Sequence, residues 1–163
     1  ALPAGILRKG KIKTALQSAL ASYALFAGIV VMIYPGNVFS SNAFLNVHSM
    51  FWHSSMVSVC SLLLATRTVK PCGDNLLKAF VVFFIMAGIA LILNVIIKNT
   101  IDVPGFNMFF VSPYEPFEVP IVKWIYESVP YPVYLLLYLI GFTAAAGLMF
   151  AASYGANKLI DKR

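Results

Sequence analysis

Four uncharged apolar blocks, separated by polar connections, set the plan of this chain. They cover about residues 15–34, 44–65, 79–97 and 132–152. A helix needs roughly 20 apolar residues to cross the hydrocarbon core of a bilayer, and each block meets that length. Strands in an open sheet would leave unpaired edges in lipid, so helices are the remaining solution. The pattern predicts an all-α fold: a polytopic transmembrane helix bundle with four spans.

Composition agrees. Of 163 residues, 60% are hydrophobic and 11% charged, against about 45–50% and 25% for soluble domains. A chain this short cannot enclose so much apolar surface in one core. Disordered chains are polar and poor in aromatics, which excludes that class. The net charge of +6 does not point to nucleic acid, because the cations lie between apolar blocks instead of on one face. Membrane lipids are the expected partners.

The cations also predict orientation. Arg8, Lys9, Lys11 and Lys13 precede the first block, Arg67, Lys70 and Lys78 follow the second, and Lys158, Lys162 and Arg163 close the chain. With four spans these fall on one side, which the positive-inside rule makes cytoplasmic together with both termini. Asp102, Glu115, Glu118 and Glu127 fall on the opposite side, in the connection 98–131.

That connection is expected as an outer-face loop rich in aromatics and proline. Pro104, Pro113, Pro116, Pro120 and Pro130 deny it a long helix. One short interfacial helix is predicted over Val119–Val129, with Trp124 and Tyr126 as anchors. Asn107 opens the string Asn-Met-Phe-Phe, a polar residue ahead of large apolar ones, which predicts re-entry into the bundle. The Gly/Ala-rich run Gly141–Gly155 predicts a close-packing helix face. At the start, Ala1–Leu7 reads as the last turns of an apolar helix. A single 1–163 domain lacking N-terminal helices of the same protein is therefore expected. The other reading is loss of an initiator Met alone.

Polar residues at membrane depth are costly and mark candidate chemistry. Asn46, His53 and Cys60 recur every seven residues and, with Ser49, form one stripe on the second span. His53 is the candidate general base; the plainer reading is a neutral imidazole bonded to another helix. His48 lies on a different side and is expected near the outer interface. Cys60 is two turns from His53, about 10.5 Å along the axis, too far for a dyad. Asn94 and Asn107 are candidate orienting groups. No cofactor and no metal site are expected, since two histidines without neighbouring carboxylates make a poor ligand set. No Asp or Glu falls inside a block, which gives charge-coupled transport little support.

Several of these features occur in an order that resembles the YwaF-like family of bacterial integral membrane proteins. They are Tyr34-Pro35, Met50-Phe51-Trp52-His53, Lys78-Ala79-Phe80, Asn94, Asn107–Phe110 and Pro130-Tyr131-Pro132-Val133-Tyr134. The resemblance spans about Thr14 to Phe150. It implies an earlier helix carrying a Leu-Pro-Leu-His-Leu-Cys-like motif, upstream of Ala1. It also implies a distant similarity to eukaryotic transmembrane lipid acyltransferases and hydrolases. On that basis His53 would be the base, the upstream cysteine the nucleophile, and this chain alone inactive. Asn107-Met108-Phe109-Phe110 lacks the tyrosine usual in the family. A non-enzymatic transporter or channel component, or a membrane scaffold, fits the same polar stripe, and both readings stand at this point.

Overall fold

Four long helices carry the chain in the computed structural model, which describes residues 10–39, 41–101 and 105–162. Ala1–Leu7, Arg8, Lys9, Asp102, Pro104 and Arg163, used in the sequence reading, lie outside them. The helices are α1 (Lys11–Ile33), α2 (Ala43–Ala65), α3 (Gly73–Thr100) and α5 (Tyr131–Ile160). The short α4 (Pro120–Ser128) precedes α5, and no strand occurs among the described residues. The fold is all-α, and each long helix has the length and composition to cross a membrane.

The helices run past the apolar blocks at several ends. Hydropathy marks only the part that suits hydrocarbon, whereas a helix continues through the interface, where charge is tolerated. Thus α3 starts six residues before its apolar block, with Asp74 in its first turn. There Lys78 Nζ donates to Asp74 Oδ2 at 2.5 Å, an i,i+4 pair. The end of α5 likewise extends to Lys158 and beyond.

Local chemistry sets the turns. Tyr34 precedes Pro35, which disfavours helical geometry, and it leaves the helix at φ −128° and ψ 79°. Asn42 caps α2, its Oδ1 accepting from Phe44 N–H at 2.9 Å and Leu45 N–H at 3.4 Å. At the far end Arg67 adopts φ 55°, and its N–H returns to Leu64 O at 3.1 Å. Its guanidinium pairs with the Asp161 carboxylate in an exposed position.

Two compact units divide the chain. One comprises residues up to Phe83 together with those from Phe142 onward; the other is Phe84–Gly141. In the first, Ala21, Leu25, Cys60, Leu64, Val69 and Phe150 form the buried core. A π-helical stretch, Leu20–Ala24, interrupts α1, and its Ala21, Ser22 and Tyr23 are all buried. Three successive residues are thus buried at this widened turn. Tyr23 stacks on Phe83 with centroids 4.3 Å apart and donates to Thr143 Oγ1 at 3.0 Å. Phe142 stacks on Phe83 and meets Phe26 edge-on at 5.3 Å.

Gly28 is where α1 approaches α2 most tightly among the described glycines. A Cβ there would lie 2.8 Å from Val57 Cγ2 and 3.1 Å from Met56 Cε. Valine is stiff at χ1 and cannot swing away cheaply. Gly28→Val should therefore lower stability by about 1–3 kcal/mol through overpacking. Gly155→Ala, with open space around it, should not lower stability. Unfolding by detergent titration, followed by circular dichroism, checks both; equal midpoints for Gly28→Val and wild type would refute the close contact.

Candidate functional site

His53 sits half-buried on α2, one turn after Ser49. Its Nδ1 lies 2.7 Å from the Ser49 main-chain oxygen and 3.4 Å from Ser49 Oγ. A carbonyl oxygen only accepts, so Nδ1 carries the proton and donates. In the neutral ring that assigns the lone pair to Nε2, the form a general base requires. Nε2 has no hydrogen-bond partner among the described residues.

The stripe through His53 is graded in depth. Asn46 and Ser49 are half-buried, and Cys60 is fully buried in the core of its unit. Ser54 Oγ and Ser58 Oγ donate to main-chain oxygens of their own helix, at Phe51 and Ser54, so these hydroxyls are already satisfied. Asn46 lines an open groove of about 440 Å³ with Met32, Phe39, Val47, Met50, Phe51 and Ser54. His48 is exposed, away from this stripe.

Asn94 and Asn107 belong to the other unit, where the structure joins them in one network. Asn94, 1% exposed, donates from Nδ2 to Met108 O at 3.0 Å and accepts from Met108 N–H at 2.8 Å. The side-chain amide thus pairs with a peptide group as a neighbouring strand would. Asn107 Nδ2 donates to Glu115 O at 2.7 Å, while its Oδ1 accepts from Ser112 N–H at 2.9 Å. Both asparagines hold the turn that the sequence marks as Asn-Met-Phe-Phe.

That turn has an unusual backbone. Phe109 and Phe110 take φ 58° and 56°, in the left-handed region that bulky residues avoid. Strain of about 1–3 kcal/mol per residue persists only where the surroundings hold it. Here they do so with three tyrosines of α5. Tyr138, Tyr134 and Tyr131 donate to the successive carbonyls of Phe109, Phe110 and Val111, at 2.5, 2.9 and 2.7 Å. Their i, i+3, i+7 spacing puts all three on one helix face. Phe110 stacks on Phe117 with centroids 4.0 Å apart. Irregular backbone within a membrane protein needs partners of this kind, since lipid offers none.

The sequence reading did not single out these tyrosines as site residues. Their helical spacing was visible, but nothing in it announced three carbonyls in need of donors. Tyr126, expected as an interface anchor, also has partners within its unit: its hydroxyl donates to Pro113 O at 2.9 Å, and its ring meets Tyr134 edge-on at 4.9 Å. Burial first, and then the Glu115 carboxylate, raise its pKa above the ordinary phenol value, so it stays a donor at neutral pH.

Removing one hydroxyl leaves a carbonyl without its donor. Tyr134→Phe should cost about 1–3 kcal/mol, and Tyr134→Phe with Tyr138→Phe should cost more than either alone. Detergent unfolding measures both, and wild-type stability in the double variant would show that the hydroxyls do not hold the turn.

Among the described residues no three His, Cys, Asp or Glu side chains gather into a metal-binding group. Fold and helix composition define the class: a multi-pass integral membrane protein with four candidate spans. Compared with protein-family models, curated proteins and solved structures, the chain matches none.

Proposed function

We propose that this chain belongs to the YwaF-like family and is the histidine-bearing part of a membrane enzyme for lipid acyl transfer or hydrolysis. The observation that carries the reading is the fixed His53 tautomer, with Nδ1 on the Ser49 carbonyl and the Nε2 lone pair available. The nucleophile is the thiol that the resemblance places on a helix preceding this chain. His53 Nε2 takes the thiol proton, and the thiolate attacks the ester carbonyl of a phospholipid. The tetrahedral intermediate collapses with cleavage of the carbon–oxygen bond, and the imidazolium returns the proton to the departing lipid alkoxide. Water or an acceptor hydroxyl then releases the acyl group from the thioester. Asn94 and Asn107 serve by shaping the turn, and no cofactor enters. Both termini are cytoplasmic in this reading, by the bias of Lys and Arg.

The test uses the complete gene product in phospholipid nanodiscs with an acyl-tailed β-lactone, whose ring opens on a thiolate to give a thioester. Capture at an upstream cysteine, lost in His53→Ala, is the expected result. Without capture, and with lipids unchanged by mass spectrometry, the acyl mechanism fails. His53 then belongs to helix packing or to a transport path.

A further inference from the structure

The α4 helix presents three different sides. Val122 and Tyr126 face inward, and Tyr126 is tied to Pro113 and Tyr134. Lys123, Glu127 and Pro120 follow one another around a second side, where Lys123 Nζ donates to Glu118 Oε2 at 2.8 Å. The third side holds Trp124, Ser128, Ile121 and Ile125. Ile121 is 73% exposed and Trp124 68%. Ser128 Oγ donates to Trp124 O at 2.6 Å, so this side offers no free hydroxyl donor to water.

Protein, water and an apolar medium are the three surroundings such a helix fits. Its place along the chain says which apolar medium this is. Only Val129 and Pro130 separate α4 from α5, a candidate span. At about 3.5 Å per residue, the end of α4 stays within roughly 10 Å of the first turn of α5. Where α5 spans a bilayer its first turn lies near the headgroup–acyl boundary, so the short link keeps α4 close to the region where tryptophan concentrates and amphipathic helices lie flat.

We propose that α4 docks through Ile121 and Trp124, with the half-buried Ile125 beside them, onto the headgroup–acyl boundary of the bilayer the chain crosses. Tyr126, on the inward side of the same helix, bonds Pro113 O and packs on Tyr134, which holds Phe110 O. The membrane surface thereby fixes the depth of the strained Phe109–Phe110 turn. This surface is independent of the acyl chemistry proposed above and stands if that chemistry fails.

Trp52 is the other tryptophan of this chain, so the Trp124 signal is taken as the difference in emission between the protein and its Trp124→Phe variant. The full protein is placed in phosphatidylcholine nanodiscs whose acyl chains carry bromine near the ester end or near the methyl end. Docking predicts a larger loss of Trp124 emission with bromine near the ester end, and little loss with aqueous iodide. If Trp124→Phe does not fold, the difference between wild type and Trp124→Tyr, excited at 295 nm, gives the same comparison. Strong iodide quenching without bromolipid quenching would place this side in water and overturn the proposal. So would shielding from both quenchers, which would mean a protein cover such as a second copy. Equal or greater loss with bromine near the methyl end would overturn it too, because the helix would then lie deeper than the boundary.

Discussion

Asn94→Leu is expected to lower stability by roughly 2–5 kcal/mol, although leucine matches asparagine in the number and branching of its side-chain heavy atoms. The loss comes from the Met108 peptide group, which exchanges two hydrogen bonds with the Asn94 amide. Leucine satisfies neither, and Asn94 is 1% exposed, so water does not replace it. Each buried polar group left unmade costs about 1–3 kcal/mol. The Met108 carbonyl keeps a long contact of 3.5 Å with Val111 N–H, which softens its share. Asn99→Leu is the control on the same helix, since Asn99 is exposed and donates only to Val95 O of its own turn. That change should stay within about 0.5 kcal/mol of wild type. Unfolding midpoints in mixed micelles, with hydrogen exchange at Met108 N–H, measure the effect. Wild-type stability together with a still-protected Met108 amide in Asn94→Leu would disprove the pairing.

Loss of His53 should have the larger effect on chemistry. If His53 is the base, turnover of a phospholipid ester by the complete protein falls about 10²–10⁴-fold in His53→Ala. Ser49→Ala separates this role from a packing role. The bond that sets the tautomer goes to the main-chain oxygen of Ser49, at 2.7 Å, which the substitution leaves in place. Its rate should therefore fall far less than that of His53→Ala. Lipid products counted by mass spectrometry decide the matter: turnover retained in His53→Ala refutes the base, and a Ser49→Ala loss as large as that of His53→Ala refutes the tautomer argument.

Parts of the site were legible beforehand for physical reasons that can be named. The seven-residue recurrence of Asn46, His53 and Cys60 follows from helix geometry alone, and the structure grades that stripe from half-buried to fully buried. The short helix predicted over Val119–Val129 is Pro120–Ser128, opened by a proline at its first position. The bond from Tyr126 to Pro113 O was not legible, because an aromatic with a hydroxyl suits an interface and a carbonyl partner equally well. Only the fold brings Pro113 O within reach. The hydroxyls of Tyr131, Tyr134 and Tyr138 pose the same problem: their shared face was readable, but their acceptors lie more than twenty residues away in two of three cases.

By itself, then, the sequence determined the number of spans, their all-helical nature and the segments between them. Those properties follow from transfer energies and backbone hydrogen bonding, which act within a single stretch of chain. Tertiary structure alone decided that Asn94 pairs with Met108, that three tyrosines clasp one turn, and that Phe109 and Phe110 take left-handed conformations. Each depends on which donor meets which carbonyl across the fold. A strained backbone is stable only once those distant partners are in place.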